Sequence, residues 1–182
     1  KDQPPKNYRL MFLDEKGDSE IDNIDCRPET TDLTVDGQGN IGVKLESYVV
    51  DHWKHQLRPP KVNDRIVMGI RKECGMLSIS SCADMIFEDI SIYAASGFAF
   101  FECGFGDGAN RYRNCRLIRR PGSTRLLAGA ADCFHSLNQR RGPMIEECEF
   151  SWAMDDLVNI HGFFQVVIEV VSGSEVVVAA PG

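Results

Sequence analysis

Positive charge is what this sequence has least to spare. Against 27 Asp and Glu it carries 20 Lys and Arg, a formal net charge of −7 over 182 residues, so the basic footprint that grips a phosphate backbone is missing and nucleic acid is not an expected partner. No run approaches the ~18 consecutive apolar residues of a membrane-spanning helix. The opening stretch Lys1 to Lys6 has neither an initiator Met nor an apolar signal core, so no export signal is expected and the chain reads as an excised fragment. The seven Cys include no CxxC pair and no Cys/His set with zinc-finger spacing, which argues against a metal knuckle, and no motif calls for a cofactor. Seven is also odd, so within the chain at least one thiol stays free. What is present, 43 % hydrophobic and 26 % charged residues, is too apolar for disorder and sufficient for one folded core.

Residues 1–61 read as a β-rich segment. Short apolar runs (Arg9 to Leu13, Asp32 to Val35, Ile41 to Leu45) alternate with turn chemistry at Lys16-Gly17-Asp18 and Asp36 to Asn40. His52-Trp-Lys-His55 has the spacing of a metal pair, but with no third ligand nearby it reads as a polar loop before Pro59-Pro60. Val62 to Ile70 looks like a strand entered by a turn, and opens a unit expected over residues 62–162.

Within that unit the sequence repeats itself. Phe87-Glu-Asp-Ile-Ser-Ile92, Tyr112-Arg-Asn-Cys-Arg-Leu117 and Ile145-Glu-Glu-Cys-Glu-Phe150 superpose position by position, at offsets of 25 and 33 residues (87 to 112 to 145), the longer one containing extra loop at Arg119 to Arg125. Leu77-Ser-Ile-Ser-Ser-Cys82 is expected to be an earlier, weaker copy. Such a period, with short β runs, Gly-rich corners and no 3.6-residue pattern, is what a parallel β-helix requires: each coil gives one strand per face and equivalent residues stack at ~4.8 Å. The fold class is therefore all-β, a solenoid. Asp89, Asn114 and Glu147 should line one corner, and Cys115 and Cys148, at equivalent positions, should be small buried apolar side chains. Beyond residue 162 the pattern changes to Phe163 to Val171, Ser-Gly-Ser and Glu175 to Ala179, a β-hairpin of a different unit over 163–182. Exposed coil ends would be unpaired strand edges, open to self-association.

The alignment extends to a second face. Gly97 to Gly104 falls opposite Asp155-Asp-Leu-Val-Asn-Ile-His-Gly162, with Ala131-Asp-Cys-Phe-His-Ser136 on the coil between. Asp132, Asp155 and Asp156 thereby gather, provided that the chain bends at the Asp pair, because adjacent strand residues point to opposite faces. Such a trio suits glycoside hydrolysis, in which an acid protonates the leaving oxygen and a carboxylate activates water. Asp132 and Asp156, one rung apart, are too close to oppose each other but could share that water, which leaves Asp155 as the acid. Crowding of like charges would help one of them to hold a proton. Glu102, His135, Asn159 and His161 are expected on the same groove as sugar contacts, with coil packing the competing reading for the two histidines and a ladder position for Asn159. Phe98, Phe100 and Phe101 divide between core and groove wall.

Ala131 to Ser136, Arg141-Gly-Pro-Met-Ile-Glu-Glu-Cys148 and Asp155 to Gly162, with Ile90 to Glu102 and Arg111-Tyr-Arg-Asn-Cys115 upstream, resemble the family 110 glycoside hydrolases. The resemblance covers roughly residues 62 to 162. It implies a right-handed parallel β-helix and an exo-acting α-1,3-galactosidase working with inversion, with Asp155 as general acid and Asp132 and Asp156 activating water. Members of that family are several times longer and add β-barrel domains, so 163–182 would be the first strands of a barrel. The glycan substrates of the family set the expectation of an extracellular or periplasmic location.

Two rivals remain. Six Arg between 111 and 125 (Arg111, Arg113, Arg116, Arg119, Arg120, Arg125) could meet an acidic polysaccharide, as in the polygalacturonases, whose Gly-His-Gly and Arg-x-Lys elements are nevertheless lacking. Their bland alternative is a solvated face balancing Glu88, Glu146, Glu147 and Glu149. The second rival is a carbohydrate-binding solenoid without catalysis. Gly104-Phe-Gly-Asp-Gly108 has no helix after it to cradle a phosphate and reads as a coil corner.

Overall fold

The computed structural model of the chain describes residues 8–18, 20–26, 31–45, 59–72 and 74–179; the His52/His55 pair lies outside them. Among the described residues there is no helix, and all regular structure is β-strand. Strand β1 (Tyr8–Leu13) pairs antiparallel with β2 (Glu20–Cys26), and β3 (Thr31–Val35) with β4 (Ile41–Leu45). Strand β5 (Arg65–Ile70) lies antiparallel on the other edge of β1, so this stretch joins the N-terminal strands and not the repeating unit.

From there the chain visits three parallel sheets in rotation. The first holds β6 (Gly75–Ser80), β9 (Phe98–Cys103), β12 (Phe134–Leu137) and β15 (Val158–His161). The second holds β7 (Ile86–Glu88), β10 (Arg111–Arg113) and β13 (Met144–Glu146), and the third β8 (Ser91–Ile92), β11 (Arg116–Leu117) and β14 (Glu149–Phe150). Each circuit adds one strand to each sheet. A final antiparallel hairpin, β16 (Val167–Ser172) and β17 (Glu175–Val178), follows. Its strand residues are all exposed.

The observed register matches the repeat. Tyr112 stands beside Phe87 and Ile145, and Leu117 beside Ile92 and Phe150. Leu77 is different: it pairs with Phe100, so the stretch expected as a weak early copy belongs to the four-stranded sheet. Short alternating apolar runs fit several faces equally well, and strand length decides the face here: six residues in β6 against three in β7.

The corners show why short polar residues recur. Asp89, Asn114 and Glu147 all have positive φ, at 58°, 48° and 53°, and Asn114 donates from Nδ2 to Asp89 Oδ1 at 2.6 Å. Asn and Asp reach this left-handed region at lower cost than most side chains, and glycine at none. The corner after the four-stranded sheet repeats the device with Ser81, Gly104 and Asn138, at φ 52°, 100° and 59°.

Inside the three sheets Phe100, Phe134, Tyr112, Leu117, Cys115 and Cys133 are fully buried. Phe87 stacks on Tyr112 at 5.1 Å between ring centroids, and Phe100 on Phe134 at 6.4 Å. Cys74, Cys82, Cys103, Cys115, Cys133 and Cys148 are free thiols, and Cys115 sits one rung from Cys148, whose Sγ accepts from the Cys115 backbone N. At the C-terminal end of the stack, Val158 and Ile160 continue the inward positions of Phe134 and Ser136 but remain 45 % and 55 % exposed.

Candidate active site

The outer face of the four-stranded sheet positions the polar residues. His135 pairs in register with Phe101 on one side and Asn159 on the other. Extending that register backward puts Phe98, Asp132 and Asp156 at equivalent places just before the strands. The backbone bonds agree: Ala99 N donates to the Asp132 carbonyl and Cys133 N to that of Asp156. Residues 151–157 bend instead of running as a strand, with Trp152 at φ 62°. The bend lets neighbours Asp155 and Asp156 approach the same place.

One oxygen from each of Asp132, Asp155 and Asp156 lies within 4.8 Å of the other two. Their surroundings differ. Asp132 has a side chain only 2 % exposed, and its Oδ2 meets His135 Nδ1 at 2.6 Å and accepts from Asn159 Nδ2 at 3.2 Å. Asp155 is partly buried and takes a charge-assisted bond from Arg71 Nη1 at 2.7 Å. Asp156 is exposed. Hard cations occupy such clusters in other proteins, but here Arg71 already offsets part of the negative charge.

Aromatic rings wall the site. Phe98 stacks on Phe101 at 5.0 Å and touches His135 at 4.3 Å between centroids, and the Arg71 guanidinium lies over Phe98 at 5.4 Å. His161, exposed, brings Nε2 to within 3.1 Å of His135 Nε2. Thus Asp132, His135, Asp155, Asp156, Asn159 and His161 come together. His135 and Asn159 both spend hydrogen bonds on Asp132.

Glu102 does not join them. It is fully buried on the inner side of its strand, where Oε2 accepts from Asn110 Nδ2 and Tyr112 Oη, both at 2.9 Å, and Oε1 from Ser136 Oγ at 2.6 Å. The expectation of a sugar contact fails here on the period of two: Glu102 shares the face of Phe100, which is core. Burial and the Glu102 carboxylate push the Tyr112 phenol well above its ordinary range. Beneath the site, burial and then the Asp132 charge push the Cys133 thiol up to about 12.

Arg71 is the contact that sequence reasoning missed. It follows β5, 84 residues before Asp155, and its only signal is the cation pair Arg71-Lys72 ahead of Gly75. Gly69 allows this approach: a Cβ there would stand 2.1 Å from Met154 Sδ, so a larger residue would make the side chain preceding Asp155 shift. Met154 in turn is buried with Met11, Leu13 and Leu127, which ties the N-terminal sheet to the site.

The arginines between 111 and 125 are largely engaged elsewhere. Arg113 pairs with Glu88 and Arg111 with Glu146, Arg116 donates to Asn114, Arg119 covers the Trp152 ring and Arg120 the Tyr93 ring. This matches the solvated, charge-balanced face. A cavity of 390 Å³ elsewhere, between β5 and the Ala95/Gly129 corner, is lined mainly by apolar side chains.

No protein-family model matches the chain. Over 112 residues it is 25 % identical to an α-1,3-galactosidase A of Shewanella woodyi, a stretch covering 61 % of this chain and 18 % of that protein. The matched region thus spans about a fifth of the relative's length. The likeness is partial, and it points to a glycosidase-related chain.

Proposed function

We propose that this chain carries the catalytic centre of a glycoside hydrolase that removes terminal α-1,3-linked galactose with inversion, built on a right-handed parallel β-helix. The observation that supports this most is the convergence of Asp132, Asp155 and Asp156 to within 4.8 Å from two separate rungs. Asp155, at the edge of the trio, is the general acid for the departing oxygen. Asp132 and Asp156 hold the water between them. The nearly complete burial of Asp132 favours this division, because a water can approach a carboxylate that a sugar ring cannot reach for covalent attack. Phe101, backed by Phe98, is the aromatic side chain offered to the apolar side of the galactose.

One feature favours the other stereochemical course. Carboxyl groups of inverting enzymes stand roughly 6.5–9.5 Å apart and those of retaining enzymes about 5–5.5 Å, and the closest oxygens here are nearer than the former. Asp155 is held by Arg71 Nη1 at 2.7 Å, and the inverting reading requires that bond to open so that Asp155 can face a glycosidic oxygen.

The test is release of galactose from galactosyl-α-1,3-galactose by the wild type and by Asp155→Asn, Asp132→Asn and Asp156→Asn. Turnover lost in the variants while galactoside binding persists supports the reading. A folded wild type that binds galactosides as well as its triple Asp→Asn variant, and releases nothing, would identify a binding module instead.

A further inference from the structure

Asp132, His135 and His161 stand in a row that leads from the buried side of the site to solvent. The separations are 2.6 Å from Asp132 Oδ2 to His135 Nδ1, 3.1 Å from His135 Nε2 to His161 Nε2, and 3.3 Å from His161 Nδ1 to the Gly162 carbonyl oxygen. Both ends of this row are acceptors: a carboxylate and a backbone carbonyl. Each of the three gaps therefore needs a proton supplied by an imidazole. Two neutral imidazoles bring only two. The fully bonded row requires a third, so that one ring is an imidazolium and the row as a whole, with Asp132 ionised, is neutral.

We propose that Asp132, His135 and His161 form a single proton-sharing chain that holds one extra proton and answers a proton gained at Asp132 by releasing one at the exposed His161. The catalytic part of this rests on the hydrolase reading above. There, water breaks one O–H bond as its oxygen bonds to the anomeric carbon; that proton goes to Asp132, and Asp155 gives its own to the leaving oxygen. That gain would leave the row with a net positive charge around an Asp132 side chain that is only 2 % exposed. Through the chain, a proton gained at Asp132 is matched by transfer from His135 Nε2 to His161 Nε2 and loss of the Nδ1 proton of the exposed His161. Asp132 then returns its proton through water to Asp155, one oxygen of which lies within 4.8 Å, and His161 takes one back from solvent, so that every group regains its starting state.

Asp155 and Asp156 approach Asp132 from the following rung, Arg71 comes in behind β5, and Phe98 and Phe101 flank His135 without charge. The Glu102 carboxylate lies on the opposite, inner face of the sheet. His135 and His161 act through Asp132 and are positioning residues.

Nitrogen-15 NMR of the histidine rings in the full chain at neutral pH reads the inventory directly. Three protonated nitrogens across His135 and His161 are expected in the wild type and two in Asp132→Asn, which removes the charge that the extra proton balances. Two in the wild type, or three in both proteins, would overturn the proposal, whether or not the chain hydrolyses galactosides. Kinetically, His161→Gln should lower kcat by up to roughly 10²-fold with little change in KM, and added imidazole should restore much of it. A His161→Gln defect that imidazole leaves untouched would also overturn the relay. Loss of wild-type turnover beside a three-proton spectrum would count against the hydrolase reading alone.

Discussion

Two lines of residues cross the same rungs and behave in opposite ways. Along the corner, Asp89, Asn114 and Glu147 share a left-handed backbone, and beside them Ile90, Cys115 and Cys148 fill the same apolar space. Along the outer face, equivalent places read Phe98, Asp132, Asp156 and Phe101, His135, Asn159. The corner repeats because the chain must turn there at every circuit. The outer face is under no such demand, so its side chains change from ring to acid and from ring to imidazole to amide. Chemistry in this protein stands where the repeat is interrupted.

If the interrupted line is the working one, substitutions on it should remove activity and spare the fold. Asp155→Asn is expected to lower turnover of substrates with poor leaving groups by roughly 10²–10⁴-fold, with an unchanged unfolding midpoint. The repeating line should do the reverse. Phe134→Ala, inside the stack, should cost about 3–5 kcal/mol of stability, measured by denaturant unfolding.

Glu102 separates the two faces of one strand. Its removal in Glu102→Ala strands Asn110, Tyr112 and Ser136 in the interior, and a lost partner costs about 1–3 kcal/mol for each group left unsatisfied. Galactoside affinity of the folded fraction should stay as it was. A specific loss of sugar binding at full stability would put Glu102 back on the groove.

Arg71→Ala probes the tie between the N-terminal sheet and the trio. The bond from Arg71 Nη1 at 2.7 Å fixes where the Asp155 carboxylate stands. Its removal should therefore lower kcat/KM for galactosyl-α-1,3-galactose with the unfolding midpoint little changed; an unaltered kcat/KM would deny that contact a part in the site.

The smallest effect concerns thiols. Exposed Cys74 should alkylate at pH 8 while Cys133, pushed up to about 12, stays inert. Because the folded state holds the Cys133 proton above the ordinary value of 9.0, its contribution to stability is complete below pH 9 and declines as pH rises toward 12. Unfolding followed between pH 8 and 11 checks the sign.

The rungs were legible because their geometry is local: a left-handed corner, an apolar pair and a fixed offset recur along the chain. The acidic trio followed from the same register. Three features did not. The face of Leu77 was ambiguous because short alternating runs suit any sheet, and the side of Glu102 depended on counting parity from Phe100. Arg71 comes from outside the repeat altogether, brought in by the close approach of Gly69 to Met154, a contact with no periodic trace.

The most direct measurement is the anomer of the first galactose released, followed by proton NMR from galactosyl-α-1,3-galactose. A water held between Asp132 and Asp156 and directed at the anomeric carbon predicts β-galactose first, mutarotating later to the mixture. Initial α-galactose would contradict that arrangement and assign one of the closely spaced carboxylates as a nucleophile.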